Sequence, residues 1–127
     1  MSCDAGDILI EGNSFAVLAR WTGLDGAAVT QSSIASGTYT VVQIATDGSA
    51  TKASPVTMTI ASVFFNTLAT THGWTRDETG WNFRLIVPGR SVTAETGTLR
   101  IQFDLIDSSA SANPIKGYVE RALAKMY

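Results

Sequence analysis

An all-β fold is what this sequence predicts: an Ig-like antiparallel β-sandwich of about seven strands, with one short helical segment near 62–71. Three observations carry the expectation. Short runs of alternating apolar and polar residues recur along the chain, the period of a strand with one buried face. Turn-forming pairs, Asp-Gly and Pro-Gly, stand between those runs. Neither βαβ alternation nor a fixed-period repeat interrupts them. At 127 residues and 13.5 kDa the chain has the size of one domain, taken as residues 1–127.

The elements follow in order. Residues 14–22 place Phe15, Val17, Ala19 and Trp21 on one face. Asp25-Gly26 then marks a turn, because glycine accepts positive φ cheaply. Residues 38–46 are rich in β-branched and aromatic types and predict a strand ended by Asp47-Gly48-Ser49. Pro55 opens the next strand, where a missing N–H is tolerated, with Val56, Met58 and Ile60 alternating. Residues 61–72 predict about two helical turns, with Val63, Leu68 and one of Phe64 or Phe65 inward.

Residues 81–88 predict a strand closed by Pro88-Gly89. Residues 98–106 carry the cleanest pattern: Leu99, Ile101, Phe103 and Leu105 against Arg100, Gln102 and Asp104. Ser108 to Asn113 is a polar loop. The last segment fits a strand through Ile115, Gly117, Val119 and Leu123, or a helical turn or two from Glu120 to Met126. A strand is preferred, because the 98–106 strand needs a partner.

Composition narrows the function classes. Apolar residues make up 45% and charged residues 16%, against roughly 25% charged in an average globular protein. Twelve serines and 16 threonines make the polar surface one of hydroxyls rather than ions. A net charge of −2 and a pI of 5.2 argue against nucleic acid as a partner, since phosphate binding needs clustered Lys and Arg. No apolar run reaches the roughly 18 residues of a membrane span. The opening Met1-Ser2-Cys3-Asp4-Ala5-Gly6-Asp7 lacks the positive charge and apolar stretch of a secretory signal, so synthesis in a reducing cytoplasm is expected. Cys3 is the only cysteine and reads as a free thiol in a terminal segment.

Catalytic signals are weak, and the chain reads as a non-enzyme. His72 is the only histidine and sits in a polar loop, Thr70-Thr71-His72-Gly73, where a structural or surface role is the ordinary one. A triad would need it beside a serine and a carboxylate in one cleft. One cysteine and one histidine do not make a zinc site. The acidic pairs Asp4/Asp7, Asp77/Glu78 and Asp104/Asp107 match no calcium loop and read as turn carboxylates. Asp77 and Glu78, being adjacent, would face opposite ways on a strand, the wrong arrangement for a glycosidase pair. No nucleotide-binding glycine motif occurs, so neither a cofactor nor a metal is expected.

The densest feature runs from His72 to Arg84. It brings together Trp74, Arg76, Asp77, Gly80, Trp81, Asn82, Phe83 and Arg84. One reading is a structural corner: Trp74 and Phe83 fill the core, Gly80 permits a left-handed turn, and Arg76 or Arg84 pairs with Asp77. The other is a recognition surface, since Trp and Arg dominate interface hot spots and a surface Trp can stack on sugar rings.

The same residues carry a resemblance. Trp74-Thr75-Arg76-Asp77, then Gly80-Trp81-Asn82-Phe83-Arg84 and Val87-Pro88, resemble the signature W-x-x-D-x-x-G-[YW]-N-F-R-x-x-[VL]-P of small proteins encoded in tailed-phage and prophage structural gene clusters. Phe65-Asn66-Thr67-Leu68 resembles the F-D-T-L before that signature, and Asp25 to Gln31 resembles its N-terminal D-G-x-x-[LV]-T-Q stretch. The resemblance implies an Ig-like virion component rather than an enzyme. Its partners would be other virion proteins and copies of itself, in a head or tail assembly. The stretch Lys116–Tyr127 departs from the family's plainer final strand, and either closes the sandwich or reaches a neighbour. The alternative expectation is a carbohydrate-binding module for a host glycan. It would use Trp21, Trp74 or Trp81, two of them exposed and coplanar.

Overall fold

The computed structural model describes residues 2–11, 13–23, 26–89, 92, 96–109 and 111–123. Among the described residues nine strands form two antiparallel sheets, and the fold is an all-β sandwich. The first sheet has the order β1 (Ser2–Glu11), β2 (Ser14–Thr22), β7 (Trp81–Pro88), β6 (Phe64–Ala69). The second runs β4 (Ala50–Lys52), β3 (Ile34–Ile44), β8 (Gly97–Asp107), β9 (Pro114–Leu123), with β5 (Val56–Thr57) also on β3.

The core lies between the sheets. The inward set of β8 is the one its alternation predicts: Leu99, Ile101, Phe103 and Leu105 are all buried, each contributing about 1.5–3 kcal/mol by leaving water. Val17, Ala19 and Trp21 face them from β2, and Phe83, Leu85 and Val87 from β7. Aromatic rings bridge the layers edge to face, with Phe83 and Phe103 5.0 Å apart and Trp21 and Phe103 5.9 Å apart, and within the first sheet Phe64 lies 5.0 Å from Phe83. The Trp21 ring itself is held by packing. Its buried indole N–H has no hydrogen-bond partner among the described residues.

Four expectations are corrected. The described strands exceed the expected number because Ser2–Glu11, read as a terminal segment, is a ten-residue strand paired along β2, and because β4 and β6 are strands too. The strand after Pro55 is only two residues long, and Val56 faces solvent. The chain leaves β3 once Met58 N–H has bonded to Gly37 O, and Met58 itself is buried. The helical segment is a single turn, α1 (Ile60–Val63), not two near 62–71, because the chain from Phe64 pairs with β7. Val63 and Phe64 are inward as expected, but Leu68 lies on strand β6 and is exposed.

The C-terminal alternative resolves to a strand. β9 pairs with β8 in an unbroken register from Gly97↔Leu123 to Ile106↔Pro114. Residues 124–127, and Asp25 of the expected Asp25-Gly26 turn, lie outside the described residues. The turn signal at 47–49 holds. Ala45 and Ser49 close a tight loop, with Asp47 Oδ1 accepting from Ser49 N–H at 2.9 Å.

Candidate functional site

The segment from Thr70 to Gly80 folds back over the outer face of the first sheet. β2 is covered on both sides, so Ala16 and Leu18 are as buried as Val17 and Ala19. Leu18, Trp74 and Trp81 form a second, small core there, with Ala5, Leu9, Phe65 and Ala69 packed around it.

Trp81 reaches that face because β7 leaves its ladder early. The β2–β7 register ends at Ala19↔Phe83. β6 meets β7 at Phe64↔Phe83 and next at Ala69↔Trp81, with a register break between. Strict alternation would put Trp81 beside Phe83 in the main core. The irregularity sends it outward instead, where its indole N–H donates to Thr71 O at 3.0 Å and its ring meets Phe65 edge-on at 5.4 Å.

Asn82 fills the gap left in the ladder. Its Oδ1 accepts from the Trp21 backbone N–H at 2.8 Å, and its Nδ2 donates to Trp21 O and Val29 O, both at 2.9 Å. The side chain is fully buried. Its orientation is dictated by backbone partners, an N–H on one side and two carbonyls on the other.

Asp77 organises the loop. Its Oδ1 accepts from the Thr79 and Gly80 backbone N–H groups at 3.0 Å and from the Trp74 indole at 3.2 Å. Its Oδ2 accepts from Arg20 Nη1 at 2.7 Å. The Gly80 N–H, then the Arg20 guanidinium, hold the carboxyl down to about 2. Arg20 also donates to Gly80 O at 3.2 Å. Gly80 has φ 101°, and an added Cβ would fall on the Ala69 carbonyl.

The structure thus brings Trp74, Asp77, Gly80 and Trp81 together on the outer face. Asn82 lies in the sheet plane and Phe83 in the main core. The expected ion pair is corrected. Asp77 takes Arg20 rather than Arg76 or Arg84, because its turn points the carboxylate back over β2. Arg76 is half exposed and lies 3.7 Å from Asp7. Arg84 sits opposite Leu18 in the β2–β7 register, partly buried. Trp74 fills the small outer core, not the main one.

Arg20 has no charged partner near it in sequence to mark it as part of the corner. Its signal was a lone charge within an otherwise apolar stretch of β2. Two other acidic residues hold a turn or bind a neighbour: Asp107 accepts from Ser109 and Asn113, and Asp4 from Thr22. His72, at φ 60°, bonds its neighbour Thr71 and rests edge-on against Trp81 at 5.6 Å. Among the described residues no three His, Cys, Asp or Glu side chains gather as metal ligands. Trp21, Trp74 and Trp81 are buried to 6% exposure or less, so none of them offers a ring to a sugar. No family model, curated protein or solved structure matches the chain.

Proposed function

We propose that this chain is a virion structural or accessory protein of a tailed phage, making protein–protein contacts in a head or tail assembly. The observation that carries the reading is the fate of the 74–84 segment. The polar groups of Trp74, Asp77, Trp81 and Asn82 turn inward, to backbone and to Arg20. A motif built this way positions a corner of the fold, a role that related structural proteins can share. The resemblance to phage-encoded Ig-like proteins supplies the setting. A hydroxyl-rich surface with few ions also suits burial in an interface, since each buried ion carries a desolvation penalty.

Mass analysis of purified virions from a host carrying the gene tests the reading. The chain is expected at stoichiometric copy number. Its absence from particles, with the protein present in the lysate, overturns the proposal.

A further inference from the structure

A sandwich of open sheets exposes strand edges, and such edges invite pairing unless blunted. Three of the four edges here are. β1 carries a register break between Cys3 and Ala5, and Arg121 Nη1 donates to its Ile8 carbonyl at 2.6 Å. Beside β6, the Gln31 side chain caps Ala61 O and Phe64 O, and Asn66 holds the Gln31 N–H. β4 and β5 are three and two residues long. β9 differs: it has ten residues, and it runs along β8 in a register without a bulge. An open groove of about 640 Å³ runs along it, walled on the far side by Cys3 to Gly6.

The outer face of this strand carries Lys116, Tyr118 and Glu120. They stand opposite Asp104, Gln102 and Arg100 of β8, and Lys116 and Glu120 form ion pairs with Asp104 and Arg100. Charges on an edge often serve to repel a second strand. Here they are self-complementary.

We infer that β9 pairs antiparallel with β9 of a second copy about a two-fold axis at Tyr118. Residues directly opposed in antiparallel strands share a face, so a two-fold register must keep 116, 118 and 120 together on the outer one. Centring on Tyr118 sets Lys116 against the partner's Glu120 and Glu120 against the partner's Lys116. Each outer row then alternates in sign across four strands: Asp104, Lys116, the partner's Glu120, the partner's Arg100. Centring one residue away, on Gly117 or Val119, sets Lys116 against Tyr118 or Ala122 and loses both rungs. Tyr118, the most exposed large apolar side chain described, at 55%, meets its own copy at the axis. The Arg100 guanidinium lies 4.6 Å from its ring centroid and adds a cation–π contact at either end of the pair. The interface is isologous and closes at two copies. It names a partner for the assembly protein proposed above, but its geometry does not depend on that reading, and virion composition and solution mass test the two separately.

Sedimentation of the full chain across micromolar to millimolar concentration should give a dimer that weakens with added salt. Lys116→Glu places like charges on both rungs and should weaken the dimer about tenfold or more. The Lys116–Asp104 pair is largely exposed, so thermal unfolding of that variant should change little. Register is read by cysteine cross-linking in a Cys3→Ser background. Tyr118→Cys faces itself within disulfide reach and should oxidise to a covalent dimer, while Ala122→Cys, off the axis, should not. A monomer at every concentration, a dimer indifferent to Lys116→Glu, or equal cross-linking at 118 and 122 overturns the inference.

Discussion

The side chain of Asn82 pairs with the backbone of Trp21 as one more strand residue would. Its amide accepts from the Trp21 N–H and donates to the Trp21 carbonyl, and its second amide hydrogen goes to Val29 O. The Trp21 carbonyl has another donor in the Val29 N–H, but the Trp21 N–H and the Val29 carbonyl have the amide alone among the described residues. Asn82→Ala therefore leaves two buried backbone groups unsatisfied and should cost about 2–5 kcal/mol in urea unfolding. Asn82→Asp keeps the shape but turns a carboxylate oxygen onto two carbonyls. It should be at least as damaging at neutral pH and recover as acid protonates it. Equal stability of Asp and Asn at this position would remove the amide from its assigned place.

Asp77 gives the fold an acid-sensitive corner. Its carboxyl is held down to about 2 by the Gly80 N–H and the Arg20 guanidinium, against an unfolded value of about 3.9. A depressed folded value contributes stability above the unfolded one, and that stability is lost as pH falls between them. Asp47 and Asp107 are lowered too, by Ser49 and Ser109, and act in the same direction. Asp77→Asn should lower Tm at neutral pH, and the gap from wild type should close as pH approaches the folded value. A gap of constant size from neutral pH into acid counts against the assignment.

How much of this was legible depends on where the determining contact lies. The inward set of β8 could be read directly, because one face meets the core and the other meets water, and alternation records that difference. β1 could not. Asp4, Gly6 and Asp7 interrupt its pattern, and it is a strand because β2 pairs with it along its length. Leu68 fits a helical period, but pairing of β6 with β7 turned it to solvent. The corner residues at 74–84 were visible as a dense cluster. Their arrangement was not, because the partner of Asp77 is Arg20, 57 positions away, and that of Asn82 is Trp21, 61 positions away. Local spacing favoured Arg76 and Arg84, and only the fold-back of the loop decides otherwise.

Gly80 and Gly48 separate backbone strain from steric contact. Both have positive φ, 101° and 89°, but an added Cβ at Gly48 meets open space while one at Gly80 meets the Ala69 backbone. Gly48→Ala should cost about 1–2 kcal/mol, the left-handed penalty alone. Gly80→Ala should cost more, about 3 kcal/mol or above, since backbone cannot step aside as a flexible side chain does. It should also perturb the near-ultraviolet circular dichroism of Trp74 and Trp81. Equal losses at the two glycines would mean that the Ala69 contact relaxes freely.

Cys3 reports on the opening of β1. Burial, with Asp4 adding to it, pushes the thiol up to about 11. The side chain packs against the main core, beside Trp21 in the β1–β2 register. The thiolate is the reactive form, so native protein at mildly alkaline pH should react with a thiol reagent far more slowly than unfolded chain. The residual rate should follow the free energy of releasing β1, and it should rise in Arg121→Ala, which removes the guanidinium bonded to Ile8 O. The raised value also sets a pH dependence. A thiol held neutral in the fold favours the native state below its unfolded value, about 8.5, and that advantage is lost as pH rises toward the folded one. Cys3→Ala should therefore flatten the alkaline limb of a stability–pH curve while leaving the acid limb, set by Asp77, unchanged. A thiol as reactive in the native protein as in the unfolded chain would show that β1 is not seated as described.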